Sequence, residues 1–419
     1  MRDMGSSDDP RVQAQLDRLS GLSIQRDVLG LDAVRTLLSR LGDPHKRLPP
    51  VFHVAGTNGK GSTCAFLRAM LEAQGYSVHV TTSPHLVRYN ERFRVAGKLI
   101  EDARLAELLE EVFDAAEGLG CSFFEITIAA AFVEFARVPA DVCVVEVGLG
   151  GRLDATNVLE PDVLAACGIA ALGIDHEKFL LAPEDGVPTE PMARIAFEKA
   201  GIAKTGVPLV TLTPDYPEEA TTTIRKLATD KDVPLFELTH QNMLEFGPGE
   251  CSLRGEHQAF NAALAAAMLR SQNTVPISEA AIGTGAQSAT WPARLQTLKA
   301  GPLALGRRVI LDGGHNRSAG EAIAAELEGM PIHLVIGMLD NKDPRSLIDP
   351  LGESVVSITA VPVPGHDAHP ASAFGQSAKG TSNLSDAMAM LPSDDYPVLI
   401  AGSLYLAGEA LKLNDEIPD

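Results

Sequence analysis

The stretch that most constrains the fold is VFHVAGTNGKGSTCAFLRAM, residues 51–70. A short apolar run ends in clustered glycines, and apolar residues then return at helical spacing. The pattern predicts a buried strand, a tight turn and a helix. It is also the form of a phosphate cradle, in which N–H groups at a helix start face phosphate oxygens. Gly56, Gly59 and Gly61 permit close backbone approach, and Asn58 completes the turn. Lys60 is expected on the β- and γ-phosphates, with the hydroxyls of Thr57, Ser62 and Thr63 facing phosphate or magnesium. The spacing departs from the familiar P-loop, which places four residues between its first glycine and Gly-Lys. Here Gly56 and Gly59 are three apart, and Gly61 separates Lys60 from Ser62.

Downstream, strand-like runs alternate with helical ones. YSVHVTT (76–82), DVCVVEVG (141–148) and DVLAACGI (162–169) read as strands, and 27–41, 101–117 and 123–137 as helices. Such alternation implies βαβ units and a mostly parallel sheet covered on both faces. Ligands of such sheets gather at the carboxyl ends of the strands. The polar segments 55–62, 83–97, 146–157 and 173–178 all fall there, so one active site is expected. A shift of composition near 288–302 carries the single tryptophan, and the alternation then restarts. The expectation is an α/β protein with a P-loop-type domain over residues 1–297 and a smaller Rossmann-like domain over 298–419, facing each other across a cleft.

Composition excludes several classes. A formal charge of −20 argues against nucleic acid or an anionic membrane as partner. An anionic substrate would need a locally basic site. Five scattered cysteines, with no C-x-x-C pair, argue against a disulfide framework or zinc site and for a reducing cytoplasm. The polar start MRDMGSSDDP has no apolar segment of a secretory signal, and no run reaches the roughly 18–20 apolar residues of a membrane span.

Outside the cradle, Glu146 ends a buried strand, where a carboxylate is costly unless solvated, paired or on a metal. It is expected to act as a Walker-B-type Mg²⁺ ligand, the bland alternative being a solvated strand-end acid. His176 follows another strand and reads equally as a structural hydrogen-bonder. Asp312 and His315 follow the strand in VILDGGHN, where an Asp–Asn turn would also explain them. Arg294 sits in the expected linker, either solvated or reaching phosphate.

Together these segments resemble the folylpolyglutamate synthase/dihydrofolate synthase family of the Mur ligase superfamily. HVAGTNGKGS, SPHLVRYNERFRV, FFEITIAAAF, VEVGLGGRLDATN, IDHEKFL, AFEKAGIAK, HQAFNAALA, WPARLQ, LDGGHN and AGSLYLAGE occur in order over almost the whole chain. The resemblance implies an ATP-dependent ligase that converts a substrate carboxylate to an acyl phosphate and passes it to the amine of L-glutamate. The implied acceptors are 7,8-dihydropteroate and tetrahydrofolate or its polyglutamates, as in bifunctional members. A monofunctional folylpolyglutamate synthase is the alternative. A monomer is implied.

Carried over by position, the resemblance implies two Mg²⁺ ions. Ser83 and Glu146 would hold the first, and Glu146, His176 and Lys199 the second. Lys199 would be carbamylated, since an ammonium cannot ligate a cation; otherwise it is a helix-surface lysine paired with Glu198. Asn261, Arg294, Asp312 and His315 would join the cradle at the nucleotide. The loop SPHLVRYNERFRV would close over the pterin, with Pro84, His85, Arg88, Asn90 and Arg92 as contacts beside Phe124, Asp154 and Ala155. The chain departs from the family pattern at Ala293 (usually Gly), Gln296 (commonly Glu) and Gly313 (usually Ala), and in a longer segment between His176 and Lys199. A cell-wall ligase of the same superfamily would need an additional N-terminal domain ahead of the cradle. A nucleotide-dependent switch would leave Lys199 and the second domain unexplained.

Overall fold

A computed structural model describes residues 7–22, 30–174, 177–247, 249–304 and 306–418. Among these, eight strands form the first sheet: β1 (Val51–Ala55), β2 (Val78–Thr81), β3 (Arg94–Val95), β4 (Lys98–Leu99), β5 (Val142–Glu146), β6 (Leu164–Ile169), β7 (Leu209–Thr211) and β8 (Leu235–Glu237). Their spatial order is β4-β3-β2-β5-β1-β6-β7-β8, with β2 to β8 parallel apart from the short β3 and β4. Every residue of β1, β5 and β6 is buried, which is why these runs are continuously apolar rather than alternating. Helix Lys60–Ala73 covers one face with helices Glu256–Arg270 and Glu279–Ser288. Helix Phe123–Arg137, started by a Ser122–Glu125 capping box, lies between Asp32–Arg40 and Asp102–Ala115 on the other.

Strand order reverses around β1. The chain runs from β1 past the β5 position to β2, returns through β5 and then crosses to β6. The crevice of a doubly wound sheet forms at such a point, and the cradle leaves β1 there. Two features depart from the sequence reading. The segment 83–100, expected as loop, contains the hairpin of β3 and β4, turned by Ala96 and Gly97 at φ 49° and 84°. Positive φ at both turn residues matches the twist of a two-residue hairpin, and strands two residues long leave no periodicity to read. Strands β7 and β8, three residues each, also extend the sheet beyond expectation.

The second sheet runs β13-β12-β11-β14-β10-β9, from β9 (Gln296–Thr297), β10 (Val309–Leu311), β11 (Ile332–Ile336), β12 (Val355–Ala360), β13 (Lys379–Gly380) and β14 (Val398–Ala401). All pair in parallel except β9, which runs antiparallel to β10. Ala289 packs in the first core and Ala293 in the second. The second sheet thus begins at Gln296, two residues before position 298. Leu86 and Val87, from the first domain, pack on the core of the second. No described helix is long and apolar enough to cross a membrane.

Candidate active site

The cradle is built by what its glycines exclude. Gly59 has φ 83°, and a Cβ there would collide with the side-chain oxygen of Asn261. That oxygen is aimed by Gln258, whose carbonyl accepts from the Asn261 amide at 3.1 Å. The ammonium of Lys60 folds over the turn and donates to the carbonyls of Gly56 and Thr57 at 3.1 and 3.2 Å. The N–H groups of Thr57 and Asn58 go to the Ala171 carbonyl, and the Thr57 hydroxyl to that of Gly173 at 2.8 Å. Thr57 therefore clasps the cradle to the loop after β6. The amides from Gly59 to Ser62 open the helix and have no partner one turn earlier within it. Among the described residues, the Ser62 hydroxyl is buried without a hydrogen-bond partner.

Glu146 ends β5 at 4% exposure, and its Oε2 accepts the Ser83 N–H at 3.1 Å. Burial pushes its carboxyl up from the usual range, opposed by the charges of Lys60, Arg294 and Arg92 and by the Ser83 amide. Three cations thus bear on one buried carboxylate from three segments of the chain. They form the locally basic site that a chain of net charge −20 needs for an anionic ligand.

Arg92 is fully buried over the rings of Tyr89 and Phe123, and desolvation lowers it to about 10. Its Nε donates to His85 Nδ1 at 3.0 Å, and burial holds that imidazole neutral with a pKa lowered to about 4. Other expected pterin residues are engaged within their own loops. Arg88 pairs with Asp102 at 2.9 Å, and the Asn90 amide donates to Asp102 and to the Ile100 carbonyl. Asp154 accepts from the amides of Leu149 and Thr156 and from the Thr156 hydroxyl. Ala155 is buried beside it, the Phe124 ring lies on Gly148, and Pro84 is exposed.

Lys199 lies in the last turn of helix Pro191–Ala200 at 4% exposure, so it is not a surface lysine. Its neighbour Glu198 takes Arg152 at 2.9 Å and Arg194 at 3.0 Å. The backbone of Gly151 lies against the carbonyls of Glu198 and Lys199, which sets the loop after β5 beside this helix end. His176, the third expected ligand of the second ion, lies outside the described residues. Among the described residues no three carboxylate, histidine or cysteine groups cluster as a metal site.

Arg294 enters from the linker with both neighbours left-handed, Ala293 at φ 57° and Leu295 at φ 46°. Asp312 Oδ2 accepts the Leu295 N–H, Gly313 donates to the Ala293 carbonyl, and Gln296 Oε1 accepts the Ala293 N–H. Gln296 also donates to Glu416, a contact that the common glutamate would turn into carboxylate repulsion. His315 Nδ1 donates to the Gly313 carbonyl.

No protein-family model matches the chain. A probable bifunctional folylpolyglutamate synthase/dihydropteroate synthase of Halobacterium salinarum is 34% identical over 420 residues. That match covers 91% of this chain but only 49% of the relative, so the chain spans about half its length. The dihydrofolate synthase/folylpolyglutamate synthase of Escherichia coli is 33% identical over 421 residues, covering 96% of this chain and 94% of that one. The chain belongs to the dihydrofolate synthase/folylpolyglutamate synthase family. A solved structure of the bifunctional enzyme from Yersinia pestis, complexed with AMPPNP and a Mn ion, has 29% identity and a TM-score of 0.80 over 96% of this chain and 97% of that one.

For a synthase of this family, ATP-dependent ligation is the chemistry. Sequence reasoning missed several residues that shape this region. Asn316 donates to the Asn58 side chain at 3.0 Å, tying the second domain to the cradle, while its own oxygen caps helix Arg317–Leu327. Glu91 accepts the three consecutive amides of Leu86, Val87 and Arg88. Trp291 lies on Gly61. The signal for the last was in the sequence, since a glycine directly after Lys60 demands a reason.

Proposed function

We propose that this synthase joins L-glutamate to 7,8-dihydropteroate and, at the same site, to tetrahydrofolate or its polyglutamates, in the cytoplasm and as a monomer. The observation that carries the reading is Glu146, buried and held by Ser83 within the field of Lys60, Arg92 and Arg294. A carboxylate so desolvated, and a buried Ser62 hydroxyl with no partner at the head of the cradle helix, fit a bound Mg²⁺ and phosphate. The five free cysteines agree with a reducing compartment.

A substrate carboxylate oxygen attacks the γ-phosphorus of ATP, forming a C–O–P bond as the bond to ADP breaks. Lys60 and the amides at the head of its helix hold the β- and γ-phosphates, and Arg92 and Arg294 reduce the repulsion between the two anions. Held by Glu146 and Ser83, Mg²⁺ would neutralise charge on the transferring and leaving phosphates. The glutamate amine then attacks the acyl carbon, the amide forms, and phosphate leaves as the amine loses its proton. The Phe124 ring, Ala155 and the His85–Arg92 pair line the proposed pterin side, with Pro84, Arg88, Asn90 and Asp154 framing it. Asn261, Asp312 and His315 frame the nucleotide.

The second ion is assigned to Glu146, His176 and a carbamylated Lys199. Carbamylation joins the neutral Nζ to CO₂ with loss of a proton, and it removes the cost of a buried ammonium. Native mass measurement of the Lys199 peptide should show the mass of one CO₂, lost on acidification. An unmodified lysine in the magnesium-loaded enzyme overturns the assignment.

The deciding experiment follows radiolabelled glutamate with each pterin separately. Incorporation with both supports the bifunctional reading, and incorporation with tetrahydrofolate alone makes the enzyme monofunctional. ATP turnover indifferent to either pterin refutes folate ligation.

A further inference from the structure

The chain's single tryptophan sits against the cradle. A Cβ added at Gly61 would lie 2.6 Å from Trp291 Cζ2 and 3.0 Å from Nε1. The indole edge therefore occupies the space that any side chain at 61 would need. This contact ends a longer one. Helix Glu279–Ser288 runs back along helix Lys60–Ala73, with Gly285 against the backbone of Met70 and Thr290 beside Arg68 at 3.5 Å. At Trp291 the chain leaves the first domain, and three residues later comes Arg294, whose charge acts on both Glu146 and Asp312.

The backbone around Arg294 is fixed on its far side by Asp312 and Gly313. On its near side the indole packs on Gly61, and Gln296 Oε1 holds the Ala293 N–H. We infer that Trp291 is a positioning residue that seats the interdomain linker on the first turn of the cradle helix and so sets Arg294 at the phosphates. Gly61 is the matching gap, and the glycine that distinguishes this cradle from the common P-loop serves the linker as well as the phosphate. The inference rests on the nucleotide reading of the cradle. It adds a consequence of its own, that phosphate bound beside Gly61 changes the surroundings of the only indole.

The test titrates the enzyme with magnesium and AMPPNP, without pterin, following tryptophan emission and binding heat in parallel. Both should saturate together. Trp291→Phe, which keeps a ring on Gly61, should retain affinity within about threefold, while Trp291→Ala should weaken AMPPNP about 10- to 100-fold. Gly61→Ala, which pushes the indole off, should reproduce that loss and covers the case in which Trp291→Ala does not fold. The decisive readout is coupling: Arg294→Ala should cost much less affinity in the Trp291→Ala background than in the parent enzyme. Binding heat with unchanged emission, or additive losses in the double variant, overturns the inference and leaves the ligase reading standing. Absence of binding heat removes the nucleotide reading, and this inference with it.

Discussion

Asp312 holds the linker from below: its Oδ2 accepts the Leu295 N–H at 2.9 Å while its Oδ1 accepts that of Gly314 at 2.7 Å. One buried carboxylate thus fixes both the left-handed bend beside Arg294 and the turn that carries His315. Removing it strands two amides. Asp312→Ala is expected to cost about 2–4 kcal/mol in urea denaturation and to raise the KM for ATP at least about tenfold. Unchanged stability would show that the bend does not depend on the carboxylate.

On the proposed reading, Glu146 trades stability for function. Burial raises its carboxyl above the usual range even with three cations nearby, so the metal-free fold carries an under-compensated charge. Glu146→Gln should raise the melting temperature of the metal-free protein, a gain of about 0.5–2 kcal/mol, and lower turnover at least about 100-fold. Melting curves with and without EDTA, beside a glutamate-incorporation assay, check both halves.

His53 supplies an acid limb. It is fully buried in β1, donates from Nε2 to the Thr156 hydroxyl at 2.9 Å, and burial lowers its pKa to about 3. Between an unfolded value of about 6.5 and that folded value, the unfolded chain binds one more proton. Stability from this group is therefore complete above about pH 6.5 and declines as the pH falls toward 3. His53→Val should flatten the slope of unfolding free energy against pH by up to about 1.4 kcal/mol per unit across that window. Denaturant titrations from neutral to acid pH give the slope, and an unaltered one counts against the assignment.

Gly408 sets the approach of the two domains. A Cβ there would collide with the Leu86 carbonyl oxygen, in the segment whose Leu86 and Val87 pack on the second core. Gly408→Val should push the loop 83–92 off helix Leu404–Leu413 and lower kcat about 100-fold, while circular dichroism stays that of the parent. Full activity would mean that the contact forms in a state the reaction does not use.

Much of the site was legible because it depends on sequence-local chemistry. The cradle is a strand, glycines and a helix start within residues 51–70, and Glu146 announces itself as an acid closing an apolar run. What escaped depends on contacts distant in sequence. Asn316 meets Asn58 and Trp291 meets Gly61 through folding, not through any pattern of spacing. The Thr57 hydroxyl and the Asn90 amide, expected at ligand, also bond within the protein. A polar side chain in a loop reads as available for ligand, yet a compact loop first uses such groups to satisfy its own backbone. The short strands β3, β4, β7 and β8 fall below the length at which alternation is visible.

The last described turn of the chain has a practical bearing. Asn414 accepts the amides of Leu303 and Ala304 and donates to the Lys299 carbonyl, while Glu416 accepts from Lys299 and Gln296. These residues brace the linker that delivers Arg294, although they lie more than a hundred positions beyond it in sequence. Truncating the side chains of Asn414 and Glu416 would therefore be felt in the linker before it was felt in either core.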